Sequence, residues 1–92
     1  MIIRLKAFAR FRALLDGETE VDLPEGITVF DLMKKLALRS SDLPDQIFDA
    51  SGKIREDVNV MVNGRHFESL EGPDTVLAEE DEVALFPAVV GG

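Results

Sequence analysis

Apolar residues at the start of the chain fall on alternate positions. Ile3, Leu5 and Ala7 share one side of an extended chain, and Ile2, Arg4, Lys6 and Phe8 share the other, which is the period of a β-strand. The pattern breaks around Asp16-Gly17. It resumes as Thr19, Val21 and Leu23 alternating with Glu18, Glu20 and Asp22, predicting a half-buried strand with an acidic outer face. Pro24-Glu25-Gly26 ends that strand and the period changes. Val29, Leu32, Met33 and Leu36 are spaced for one face of a helix; Thr28 stands at the N-cap, and Asp31, three residues on, supplies the acid of a capping box. Lys34 and Lys35 fall on the water side, and Arg39 lies near the C-terminal end, where positive charge suits the helix dipole.

Residues 40–57 follow neither period, and yield only a helical turn at Leu43 to Phe48 and a turn at Ser51-Gly52. Alternation returns with Val58, Val60 and Val62 against Asn59 and Met61. Asn63-Gly64 then signals a tight hairpin into a second strand, Arg65-His66-Phe67. A turn at Gly72-Pro73-Asp74 leads through Val76 and Leu77 to Glu79-Glu80-Asp81-Glu82, and Val83 to Phe86 reads as a last short strand. The order is strand, strand, helix, strand, strand, strand. One helix can cover only one face of such a mixed sheet, so the expected fold is two-layer α+β of the β-grasp kind. Residues 1–86 form that domain, and Pro87, which resists continuation of a central ladder, opens a free tail over residues 87–92.

The chain of 92 residues is sized for one core, and an apolar content of 46% spread along it argues for folding. A formal charge of −8 repels a phosphate backbone, so nucleic acid is not an expected partner. The same charge either suits a basic docking face or serves solubility. With no cysteine, the chain itself offers no disulfide, thiolate nucleophile or thiolate-bound metal. Its single histidine, His66, follows the hairpin and reads as an exposed or half-buried strand residue, and a metal cluster is not expected. Arg4, Lys6, Arg10 and Arg12 interrupt the first fifteen residues, so no signal peptide or membrane span is expected, and the reading is cytoplasmic. No nucleophile–base pair or phosphate-binding glycine loop is legible; the chain is not expected to be an enzyme alone.

The chemistry that remains is at the end, Pro87-Ala88-Val89-Val90-Gly91-Gly92. Six extended residues reach about 20 Å, enough to carry a terminal carboxylate into a partner's active site. Two glycines keep the end thin enough for a narrow channel. A carboxylate is a poor electrophile, so using it as a carrier calls for activation, most simply as an acyl-adenylate, from which sulfur or an amine displaces AMP. A thiocarboxylate would let a chain without cysteine deliver sulfur.

Asp81-Glu82-Val83-Ala84-Leu85-Phe86-Pro87-Ala88-Val89-Val90-Gly91-Gly92, with Val60-Met61-Val62-Asn63-Gly64 and the first strand ending near Phe8-Ala9, resembles the MoaD/ThiS family of sulfur carriers, most of all its molybdopterin synthase small subunits. The resemblance spans nearly the whole chain. It implies that Gly92 is adenylated and thiocarboxylated by an E1-like enzyme that uses ATP and magnesium, with sulfur from a donor protein. It further implies transfer to a pterin in the large synthase subunit, while this chain binds no cofactor. Gly91, Val90, Val89, Pro87 and Phe86 would dock the partner, although Phe86 reads equally well as core. Two departures stand out: Glu80 occupies a position where the family usually has glycine, and residues 40–57 are longer than in compact members. The longer segment resembles archaeal members and ubiquitin-related modifiers, some of which are also joined to lysines. A protein modifier and carrier for tRNA thiolation is therefore the second reading, a thiazole-pathway carrier the third, and a binding module with an idle tail the fourth.

Overall fold

Residues 1–88 are described by the structure, a computed structural model. Strand β1 (Ile2–Ala7) follows the alternation of its sequence, with Ile3, Leu5 and Ala7 buried and Arg4 exposed. It pairs antiparallel with β2 (Glu18–Asp22) and parallel with β5 (Glu82–Pro87). β5 in turn pairs antiparallel with β3 (Val58–Val62), whose outer neighbour is the two-residue β4 (Arg65–His66). The five-stranded mixed sheet runs β2-β1-β5-β3-β4.

The main helix, α2 (Val29–Ala37), begins where the capping box places it. Thr28 Oγ1 accepts from the Asp31 N–H and the Asp31 carboxylate accepts from the Thr28 N–H, each at 3.1 Å. These bonds satisfy two of the amide donors that a helix start leaves free. Val29, Leu32, Met33 and Leu36 are fully buried and share one cluster with Ile3, Leu5, Val60, Val83 and Leu85. Two shorter helices complete the core. α1 (Arg10–Leu15) buries Phe11 and Leu15, and α3 (Leu43–Ile47) buries Leu43 and Ile47; each pair is four residues apart, on one face. The irregular stretch after α3 is tied by Asp49, whose Oδ1 accepts from the Ser51 and Lys53 amides at 2.8 and 3.1 Å.

The turn Asn63-Gly64 has both residues at positive φ, +51° and +81°, the requirement of a tight primed hairpin. The partner strand stops earlier than the sequence pattern suggests: Phe67 turns into the core and opens a 3₁₀ turn, Phe67–Ser69. His66 stabilises that departure, its Nδ1 accepting from the Glu68 N–H at 3.1 Å while Nε2 meets Asn59 Oδ1 at 2.8 Å. Two of the segments that carry the family resemblance meet at the start of β5. Asn63 Nδ2 donates to Asp81 Oδ1 at 2.8 Å, Asn63 Oδ1 accepts from the Glu82 N–H at 2.9 Å, and Asp81 Oδ2 accepts from the Ala78 N–H at 2.8 Å. They hold the start of the strand, opposite the end that carries Ala88.

Candidate functional site at the root of the tail

β5 runs through Pro87, one residue beyond its apolar pattern at each end. The hydrogen bonds explain why proline is tolerated in a strand with neighbours on both sides. Asn63 N–H donates to Glu82 O and Ala88 N–H to Asp57 O, so even-numbered residues of β5 face β3, while Leu85 O accepts from Phe8 N–H on the β1 side. Pro87 is thus directed to the β1 side, where the pairing has ended at Ala7 and Leu85. Its missing N–H breaks no ladder bond. Ala88 remains bound to the domain at 2.7 Å.

Phe86 and Pro87 are half-buried. Phe86 lies on the sheet face away from α2, and the ring of Phe8 meets it edge to face at 6.4 Å and 84°. Phe8 is 44% exposed, on the face of β1 that also carries Ile2, Arg4 and Lys6. With Ala9, Pro87 and Ala88 the two rings line an open apolar hollow of about 470 Å³. An aromatic pair left in water at the point where the chain leaves the sheet has the composition of an interface centre. Ala9, which begins α1, has φ +55° and ψ −131°, a backbone state costly for any residue with a Cβ and frequent at functional sites.

Behind the hollow, Asp57 binds the chain and two guanidiniums. Its carbonyl holds Ala88; its carboxylate takes Arg55 Nε at 2.9 Å and Arg55 Nη2 at 2.8 Å, with Arg10 Nη2 at 3.5 Å. Of the residues that the sequence assigned to this site, Phe86 and Pro87 come together here, while Val89, Val90, Gly91 and Gly92 lie outside the described residues. Phe8, Ala9, Arg10, Arg55 and Asp57 were not assigned to it. For Phe8 a signal existed, an aromatic on the outward side of a strand; the arginines give none, because their meeting depends on the loop before β3. Among the described residues no group of three or more His, Asp or Glu is placed to hold a metal ion, and no helix is long and apolar enough to cross a membrane.

A mixed β-grasp sheet under one main helix, leading from its middle strand into a Gly-Gly sequence, defines a ubiquitin-like protein of the carrier or modifier class. The sequence model of the ThiS family matches residues 5–92, and the chain belongs to that family of sulfur carriers, whose small domains are not catalytic themselves. It is 32% identical over 94 aligned residues to small archaeal modifier protein 3 of Haloferax volcanii, with all of both chains covered. The crystal structure of SAMP1 from the same organism superposes with a TM-score of 0.83 at 28% identity, over 100% of both chains. A candidate molybdopterin converting factor, subunit 1, from Pyrococcus furiosus gives a TM-score of 0.77 at 35% identity, covering 97% of this chain and 99% of that one.

Proposed function

We propose that this chain carries sulfur on the carboxylate of Gly92 and serves as the small subunit of a molybdopterin synthase. The observation that carries the reading is the end of β5: a strand paired on both sides ends beside an aromatic pair, exposed Phe8 and half-buried Phe86. A partner can cover that hollow while the residues beyond Ala88 enter its active site. The resemblance to the Pyrococcus furiosus factor, 35% identical, supports the pterin pathway.

The chemistry is shared. A carboxylate oxygen of Gly92 attacks the α-phosphorus of ATP on an E1-like enzyme, with magnesium on the nucleotide, and pyrophosphate leaves. A hydrosulfide then attacks the acyl carbon and AMP leaves, giving the thiocarboxylate; an enzyme-bound persulfide gives an acyl disulfide instead, from which a second thiol of that enzyme frees the thiocarboxylate by closing a disulfide with the first. The large synthase subunit would receive the loaded tail and transfer its sulfur to the pterin. Gly91, Val90, Val89, Pro87 and Phe86 have the role of docking it, and the glycines let the backbone approach the reacting atoms closely.

A second reading is favoured by the full-length similarity to small archaeal modifier protein 3. There a lysine amine takes the place of sulfur and AMP leaves an isopeptide bond. Intact mass after incubation with the host's E1-like enzyme, ATP, magnesium and sulfide tests the common step: the expected change is one oxygen replaced by one sulfur. Deleting Gly92 should abolish the gain and leave the melting temperature unchanged, because the five paired strands and the core cluster are built from residues 2–87. A gain that survives the deletion excludes the Gly92 carboxylate as the carrier. Isopeptide-linked Gly92 in cell extract would select the modifier reading, and transfer to a pterin in a complex with a large subunit would select the synthase.

A further inference from the structure

Asp57 closes the irregular segment before β3, and Ala88 is tied to it: the Asp57 carbonyl accepts from the Ala88 N–H at 2.7 Å. That bond carries the β5–β3 ladder one step past the pair of Pro87 and Val58. The position of this single peptide therefore decides where the ladder stops and the last four residues of the sequence begin. Asp57 itself belongs to no strand or helix. Two helices hold it through side chains instead.

The first is α3, seated in the core by Leu43 and Ile47. Arg55 N–H donates to Ile47 O at 2.9 Å and Arg55 Nη1 to Asp45 O at 2.8 Å, while Nε and Nη2 donate to the two carboxylate oxygens of Asp57 at 2.9 and 2.8 Å. With both oxygens taken side by side, the fork fixes the orientation of Asp57 as well as its distance. The second is α1, which buries Phe11 and Leu15 and brings Arg10 Nη2 to 3.5 Å from Asp57 Oδ2. The side chains of Arg10, Arg55 and Asp57 are each about a third exposed, so these ion pairs contribute little to stability. Their convergence on the residue that holds Ala88 gives them a geometric role.

We propose that Arg55 is a positioning residue for the reaction at Gly92: by joining α3 to Asp57 it fixes the carbonyl that holds Ala88, and with it the point from which the last four residues start. Arg10 steadies the same carboxylate from α1. The inference deepens the carrier reading above and rests on it. Four extended residues span about 14 Å, so a tilt of about 20° at their start displaces the terminal carboxylate by about 5 Å. A nucleophile attacks from about 3–3.5 Å, and an oxygen of Gly92 must come that close to the α-phosphorus of ATP. A fixed start also leaves one residue fewer to be ordered each time the chain enters its partner's channel, and each residue ordered is a factor of about 5–30 in the equilibrium.

The test is sulfur loading of the full chain by its host's E1-like enzyme with ATP, magnesium and sulfide, read as the rate of mass gain at varied carrier concentration. Arg55→Gln should lower kcat by about 10-fold, short of the about 100-fold that a 1 Å misplacement can cost, and leave KM nearly unchanged, because the hollow around Phe8 and Phe86 is intact. Arg55→Lys, which keeps the charge, should recover part of the loss. Ala88→Pro removes the N–H that Asp57 holds, and in that background Arg55→Gln should lower kcat no further. Hydrogen exchange followed by NMR should show the Ala88 amide exchanging faster in Arg55→Gln while the amides of β1 keep their protection. Circular dichroism checks the fold of each variant; should Arg55→Gln not fold, Asp57→Asn, which keeps the carbonyl and loses the charge, takes its place. An equal kcat for wild type and Arg55→Gln, or a loss of the same size with and without the Ala88 N–H, overturns the positioning role. A wild type that gains sulfur at the same rate as the variants refutes that role alone, whereas a wild type that gains none with an active enzyme refutes the carrier reading and the positioning with it.

Discussion

Glu80 has its backbone at φ +66°, in the region that side chains with a Cβ avoid. It lies in the turn that sets up β5: its N–H donates to Ile2 O at 2.8 Å, and the next amide, Asp81 N–H, donates to Ala78 O at 3.1 Å. The family resemblance implies glycine at this position, a residue that enters the left-handed region without cost. Glu80→Gly should raise unfolding stability by about 0.5–1 kcal/mol, the relief of left-handed strain less the greater freedom of glycine in the unfolded chain. Urea denaturation measures it, and a loss would mean that the side chain of Glu80 makes a compensating contact. Asp31 shows a second effect at this scale. The Thr28 N–H, then the Thr28 hydroxyl and Lys34, hold its carboxyl below the ordinary carboxylate range, against partial desolvation. Because the folded pKa is depressed, the contribution is complete above the unfolded value of about 4 and is lost as pH falls through the folded one. The stability difference between wild type and Asp31→Asn should therefore be present at neutral pH and shrink in acid.

The elements differ in how openly the sequence declares them. β1 and β3 bury every second residue, β2 buries Val21 and half-buries Thr19, and α2 buries one helical stripe, so their periods were legible because a single face meets the core. α1 was not legible. Phe11, Leu14 and Leu15 have helical spacing, but the helix is six residues long, has no side-chain cap and follows the strand across Phe8 and Ala9 alone. Only tertiary burial of Phe11 and Leu15 sustains so short a helix. Phe11→Ala should cost about 3–5 kcal/mol and also loosen the placement of Arg10, whereas Thr28→Ala should cost about 1 kcal/mol; thermal melts of the two variants give the comparison. β4 was overextended for the opposite reason. Phe67 has a strand former's side chain, but its burial beneath the sheet requires the chain to turn. The candidate site was half legible: Phe86 and Pro87 lie on a strand whose pattern is plain, while Arg10 from α1 meets Arg55 and Asp57 only through the irregular loop before β3.

At the scale of the whole molecule, the motifs that identify the family divide into two tasks. Asn63-Gly64 and Asp81-Glu82 fasten the start of β5, and Phe86-Pro87-Ala88 presents its end. The strand between them lies in the centre of the sheet, parallel to β1 and antiparallel to β3. This placement has a mechanical consequence. A pull on the chain beyond Ala88 acts along β5 and must shear both ladders together, since neither neighbour can be peeled away first. The load path that lets a partner grip and release the tail is therefore also the one along which the domain best resists being drawn apart.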